Sequence, residues 1–226
     1  FDKVREFDDD VFRNIVSLRL SRDLFADLSE GDPAASALAM AAEMRVKAEC
    51  PPGQIQRGFH YTTAIDYPFR HEPFLSTRYG DGSFGVWYGS LSLDTSIHET
   101  AFHMFRAESA IEGLQEVVVR ERAVYKVFCQ AVLIDLTGKA DEFPGLLSED
   151  YTFTQGIAKR LTREGHPGLL APSARDDGGI NVAAFRQEIL ADPRTYCYLT
   201  YYYYPTARAM DIERQPGEVL YRLSWR

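Results

Sequence analysis

Arg57 stands on the apolar side of a strand pattern. In Gln54-Ile55-Gln56-Arg57-Gly58-Phe59-His60-Tyr61 the residues alternate, and Arg57 falls in phase with Ile55, Phe59 and Tyr61. A guanidinium keeps its proton, so on such a face it requires a carboxylate, a phosphate or a wet cleft beside it. A core carboxylate such as Asp66 is one candidate partner; an anion arriving from outside is the other. Further along, Trp87, Leu91 and Leu93 share one strand face, whereas Tyr88, Ser90 and Ser92 share the other, a face suited to a cleft floor. Asp94 or Ser96 can cap the helix that follows, whose apolar stripe is Ile97, Ala101 and Phe105. Glu99 falls on the opposite side of that helix, facing water or a site, and also fits a capping box with Ser96. Leu169-Leu170-Ala171-Pro172-Ser173-Ala174-Arg175 ends a short apolar strand with a hydroxyl and a guanidinium, where ligand groups are often carried, or else where Ser173 forms a plain turn.

The elements that position these residues divide at two proline punctuation points. Val4, Phe7, Val11, Ile15 and Leu18 recur at helical spacing, and Asp32-Pro33 opens an alanine-rich helix toward Glu49 that Pro51-Pro52-Gly53 stops. Residues 1–50 therefore read as a helical extension packed on the domain or offering a partner surface. Strands are expected over 54–61, 85–93, 123–136, 168–172, 181–185, 195–204 and 218–225, with helices near 95–108 and 150–164. Few helices separate the later strands, so an α+β arrangement with largely antiparallel sheets is favoured over a doubly wound one. The aromatic stretch Tyr196 to Tyr204 reads as a buried strand.

With 226 residues, 45% of them hydrophobic, the chain can bury one large core. A formal charge of -8 with no basic run argues against nucleic acid or an anionic membrane as partner, while leaving room for a local positive pocket. Cys50, Cys129 and Cys197 have no CxxC spacing, so neither a disulfide framework nor a zinc site is expected, and a reducing cytoplasm fits. Gly80-Asp81-Gly82-Ser83-Phe84-Gly85 matches GxGxxG in form, but a strand rather than a helix follows it, so a turn is expected. His98 and His103 are five apart, off a common helix face, and imply no metal; His60 and His166 likewise read as structural.

Taken together, Arg57, the run Phe84-Gly85-Val86-Trp87-Tyr88, Glu99 within Thr95-Ser96-Ile97-His98-Glu99-Thr100, and Pro172-Ser173-Ala174-Arg175 resemble the RES domain family, named for an arginine, a glutamate and a serine. Tyr151-Thr152-Phe153-Thr154-Gln155, Gly168-Leu169-Leu170 and Asn181-Val182-Ala183-Ala184-Phe185 extend the resemblance over residues 54–190. Where many RES domains carry Gly-Gly-Arg-Trp ahead of the tyrosine, this chain has Arg78-Tyr79-Gly80-Asp81-Gly82-Ser83. The stretch from Glu99 to Ser173 is also longer than in compact members.

The resemblance implies an ADP-ribosyltransferase-like fold, with split β-sheets around a NAD cleft, in a RES domain spanning 51–226. It implies a toxin that cleaves NAD at the nicotinamide-ribose bond, held in check by an Xre-like antitoxin. NAD would be substrate, with no separate cofactor and with phosphate as a possible co-substrate. Arg57 would hold the phosphates, Tyr88 would pack on the nicotinamide or its ribose, and Glu99 would be the catalytic carboxylate. Ser173 would complete the nicotinamide pocket, with Tyr61, Arg78, Gln155 and Arg175 as neighbours. The residue types suit the chemistry: breaking a ribosyl C–N bond passes through a cation-like sugar that a carboxylate stabilises, and arginine grips a pyrophosphate better than lysine does. The acceptor would be phosphate or water. A protein acceptor would make the enzyme an ADP-ribosyltransferase, and a chain that merely retains the cleft would be a noncatalytic binding module. Oligomeric state is left open.

Overall fold

A computed structural model describes residues 3–17, 62–70 and 74–225. The expected strand over 54–61, with Arg57 and Tyr61, and the expected helix from Asp32 to Glu49 lie outside these residues. Phe1–Val16 and Phe59–Arg226 form one compact unit, and the architecture below is that of this unit. The other unit, Ser17–Gly58, lies outside the described residues apart from Ser17 itself.

The expected helix at the start of the chain is instead a strand, β1 (Val4–Val16), and it belongs to the main unit rather than to an extension ending at residue 50. The spacing explains the misreading. Phe7, Val11 and Ile15 are four apart, which is close to one helical turn and also two full strand repeats. Burial decides for the strand: Phe7 and Val11 are core residues, while Val4 and Val16, of opposite parity, are 54% and 58% exposed. The aspartates that disfavour a strand here are offset across it, Asp10 pairing with Arg194 and Lys126.

β1 runs antiparallel to the long strand β5 (Val118–Asp135) in continuous register, from Val4 opposite Ile134 to Val16 opposite Arg122. The chain then forms a π-helical turn (Thr62–Asp66), the short α1 (Tyr67–Arg70), a small hairpin of β2 (Ser76–Thr77) and β3 (Gly80–Asp81), and β4 (Trp87–Ser90). As expected of a turn rather than a dinucleotide loop, Gly80-Asp81-Gly82 leads into a strand. Next come α2 (Leu93–Ser109), β5, α3 (Thr152–Glu164), β6 (Gly168–Pro172), β7 (Ile180–Ala184), β8 (Leu190–Tyr204), β9 (Ala209–Gln215) and β10 (Glu218–Ser224). The sheet order is β1-β4-β7-β6-β5-β8-β9-β10, and the additional β1–β5 ladder closes the first five strands into a circuit. Among the described residues only β5 and β6 pair in parallel, so the mixed α+β reading with largely antiparallel strands holds.

Phe7, Val11, Trp87, Val127, Leu133, Leu170 and Val182 pack as one core within that circuit. The apolar stripe of α2, Ile97, Ala101 and Phe105, packs on Leu199, Tyr201, Tyr203 and Met210 from β8 and β9. Ile157, Ala158 and Leu161 of α3 cover Ile134, Leu169 and Ala171. Each fully buried aliphatic side chain of this kind contributes roughly 1.5–3 kcal/mol. The tyrosine-rich strand is buried on alternate residues, and the Tyr201 hydroxyl accepts from Asn14 Nδ2 at 2.9 Å. Asp66, the carboxylate considered for Arg57, is fully buried and meets Arg70 and Gln187, each at 2.5 Å.

Candidate functional site

Two antiparallel neighbours, β4 and β7, make the floor. Tyr88 lies opposite Ala183 and Ser90 opposite Asn181, so strand parity puts all four side chains on one face, where they line a cavity of about 840 Å³. This is the face of Tyr88 and Ser90 that sequence alternation marks as a cleft floor. The neighbouring residue faces the opposite way: Trp87 is fully buried and donates its indole N–H to the Ala64 carbonyl at 2.7 Å.

α2 brings Glu99 over this floor. The helix is capped by Ser92, whose Oγ accepts from the Thr95 amide at 3.0 Å, rather than by Asp94 or Ser96. Ser96 donates instead to the Leu93 carbonyl at 2.7 Å. Glu99 is therefore not engaged in a capping box. Its Oε1 accepts from Ser173 Oγ at 2.7 Å and from Asn181 Nδ2 at 2.7 Å. Among the described residues Oε2 has no hydrogen-bond partner, and Glu99 lines the cavity.

Both donors are themselves fixed. The Ser173 hydroxyl accepts from the amides of Arg175 and Asp176, each at 3.1 Å, which directs its own proton to Glu99. Asn181 Oδ1 accepts from Ser90 Oγ at 2.7 Å, which sets the orientation of its amide. The loop after Ser173 is anchored to the start of α2 by Thr95 Oγ1 donating to Asp176 Oδ2 at 2.6 Å. Gly179 closes it: a Cβ there would lie 2.6 Å from Asp176 Oδ2 and 2.7 Å from Thr95 Oγ1.

Tyr88 is held at its tip, its hydroxyl accepting from the Tyr79 amide at 2.8 Å and bonding Thr77 Oγ1 at 2.8 Å. Burial pushes its phenol pKa well up, so the group is neutral and offers a ring face rather than a charge. Arg78 also lines the cavity, donating to the carbonyls of Leu146 at 3.1 Å and Ser148 at 2.7 Å while lying over the Tyr151 ring. His103, one turn beyond Glu99, stands at the rim; burial lowers its pKa, Glu99 raises it, and Arg175, Arg78 and Arg106 lower it further.

Three expected neighbours lie behind the wall rather than on it. Ser173 backs Glu99, as described. Gln155 donates to Ser76 Oγ, the Thr77 carbonyl and the Gly80 carbonyl, tying α3 to the β2–β3 hairpin. Arg175 stacks on Phe102, 3.4 Å from the ring centroid, and reaches Glu149 at 3.4 Å. Among the described residues its Nε and Nη2 are buried with no hydrogen-bond partner. Arg57 and Tyr61 lie outside the described residues.

Asn181 and Arg13 are two of the lining residues that a reading of the sequence for this site does not single out. Asn181 carries a signal, a polar side chain in phase with Ala183 at the start of an apolar strand. Arg13 carries a stronger one. It falls in phase with Phe7, Val11 and Ile15, the same reasoning that selects Arg57, and the helical reading of β1 hides it. Arg13 Nη1 donates to the Tyr88 carbonyl at 2.7 Å, and its guanidinium lies 5.3 Å over the Trp87 ring.

The electrostatics of the cavity oppose those of the chain. Arg13, Arg78, Arg106, Arg120 and Arg122 line it against Glu99 and Glu108, and Arg120 already pairs with Glu108 at 2.8 Å. A local surplus of guanidinium groups thus faces a protein of formal charge -8, and screening over about 10 Å lets the near charges dominate. Among the described residues no three His, Cys, Asp or Glu side chains gather to hold a metal, and no helix is long and apolar enough to cross a membrane.

No curated protein matches the chain in sequence. Among solved structures it is similar to one in the crystal structure of the M. tuberculosis MbcT-MbcA toxin-antitoxin complex, at 13% identity and a TM-score of 0.45, covering 85% of this chain and 86% of that one. The RES domain family matches residues 51–204, more than half of the chain and including Tyr88, Glu99, Ser173 and Asn181. The glutamate and the serine that sequence reading carries over from that family meet at 2.7 Å, and the chain belongs to the RES domain family.

Proposed function

We propose that the protein is a NAD-consuming toxin that breaks the nicotinamide-ribose bond in the cavity above Tyr88 and Glu99, with phosphate or water as acceptor. The observation that carries this reading is the carboxylate of Glu99, held at Oε1 by Ser173 and Asn181 with Oε2 left open over an arginine-lined cleft. The reaction asks for that arrangement. Nicotinamide is attached as a cation and leaves neutral with the bonding electron pair, so no general acid is required. The ribose C1′ becomes cation-like, and a fixed carboxylate beside it stabilises that charge or grips the 2′-hydroxyl. An oxygen of phosphate or water then bonds to C1′, giving a phosphorylated ADP-ribose, or ADP-ribose and a proton.

Tyr88 supplies a neutral ring face for the nicotinamide or its ribose, and Arg57 and Arg78 supply charge for the phosphates. The strand circuit, with its cleft beside β4 and β7, suits an ADP-ribosyltransferase-like arrangement. By the family resemblance, an Xre-like antitoxin would restrain the toxin.

Incubating the purified protein with NAD, with and without phosphate, and identifying the products tests the reading and names the acceptor. Glu99→Gln keeps an oxygen to accept from Ser173 and Asn181, so the fold is retained while the charge is lost. NAD turnover is expected to fall about a hundredfold or more. Unchanged NAD loss in that variant would sink the assignment to Glu99; ADP-ribose appearing on protein would mark a transferase, and intact NAD with the wild type a binding module.

A further inference from the structure

We propose that Arg13, with Arg122 lining the same cavity, forms an anion subsite of the cleft that takes phosphoryl oxygens, those of the dinucleotide's pyrophosphate or of inorganic phosphate as co-substrate. The proposal rests on the NAD reading only for the naming of those two sources.

Arg13 comes from β1, outside the residues matched by the RES domain family. Its side chain is turned toward the core side of the strand circuit and lines the cavity. Its one hydrogen bond among the described residues goes to a neutral acceptor, the Tyr88 carbonyl, and its other neighbour is the Trp87 ring. Among the described residues Nε is buried with no hydrogen-bond partner, and no carboxylate pairs with the guanidinium. A buried arginine is ordinarily paired, so this one is short of a negative partner.

Arg122 of β5 stands opposite Val16, so it leaves the β1–β5 ladder on the other face from Arg13, yet it lines the same cavity. Its Nε and Nη2 donate to Asn14 Oδ1 at 3.3 Å and the Asn14 carbonyl at 3.2 Å, again without a carboxylate. Burial, and after it the charge of Arg122, lowers the Arg13 pKa to about 10. Two unpaired guanidiniums facing one cavity match an oxyanion with several acceptor oxygens, which each can grip with more than one N–H. A purely structural Arg13, clamping β1 to β4 through the Tyr88 carbonyl, would need only one neutral donor.

Arg13→Gln separates these roles, since its amide can still donate but carries no charge. Calorimetric titration of inorganic phosphate and of ADP-ribose into wild type, R13Q and R122Q, with phosphate-free nicotinamide riboside as control, reads the subsite without turnover. Loss of charge-assisted bonds is expected to weaken one phosphate-bearing ligand about tenfold or more while leaving nicotinamide riboside unchanged. A loss confined to inorganic phosphate identifies the co-substrate source; a loss with ADP-ribose identifies the pyrophosphate. Should R13Q lose its thermal transition, R122Q carries the same readout. Wild-type affinities for both ligands in the folded variants would overturn the subsite. NAD left intact by a wild type whose phosphate binding depends on Arg13 would remove the NAD reading and leave the subsite standing.

Discussion

At Glu99 two donors converge on one oxygen, so neither alone decides the carboxylate's position. Ser173 is the more constrained of the two, because two backbone amides aim its hydroxyl. Ser173→Ala removes one charge-assisted bond and leaves Asn181 in place. The expected result is a fall of about tenfold in kcat for NAD with little change in KM, as for a group that positions the catalytic carboxylate. A raised KM with unchanged kcat would instead put Ser173 against the nicotinamide, the role that the family resemblance implies. Residue identity made Tyr88, Glu99 and Ser173 legible, since each stands out from its strand or helix pattern. It could not show that Ser173 serves Glu99 from behind, or that Gln155 and Arg175 are turned away from the cavity, because those directions arise from contacts between residues 26 to 79 positions apart.

Element by element, the strands beyond residue 85 follow from alternation, and β6, over 168–172, has the bounds the sequence suggests. β9, the first strand and the short β2–β3 hairpin are not among the strands the sequence reading expects. β9, Ala209-Met210-Asp211-Ile212-Glu213-Arg214-Gln215, mixes buried and charged positions; Asp211 is buried and paired with Arg222 of β10 by two bonds of 2.6 Å. β1 was ambiguous in period, and only its pairing with β5 resolves that. Its role yields a firm expectation. β1 contributes Phe7 and Val11 to the core and a thirteen-residue ladder to β5. Deleting residues 1–16 exposes that core and frees the β1-facing edge of β5, so a chain lacking residues 1–16 is expected to lose its cooperative thermal transition. Circular dichroism measures this directly; a native-like transition in the truncated chain would show that β1 is dispensable.

Across the whole molecule, the acidic balance and the basic cleft coexist because they act over different distances. The net charge of -8 conceals five arginines gathered from β1, the β2–β3 turn, α2 and β5. Their convergence is a product of the closed strand circuit, which brings residue 13 beside residue 88. No linear pattern encodes that meeting.

The same convergence gives the protein an optical probe of its own cleft. The chain has two tryptophans: Trp225 stacks on Phe105 at 4.4 Å, and Trp87 lies under Arg13. A cation over an indole perturbs its electronic states, and an anion that draws the guanidinium away changes that perturbation. In a Trp225→Phe background, the emission of Trp87 is therefore expected to shift as NAD or phosphate fills the cleft, and to stay fixed when Arg13 is replaced by glutamine. A signal that is silent at saturating ligand would mean that the arginine does not move toward it. Binding at the cleft thus becomes readable in the protein's intrinsic fluorescence, without labels and before any bond is broken.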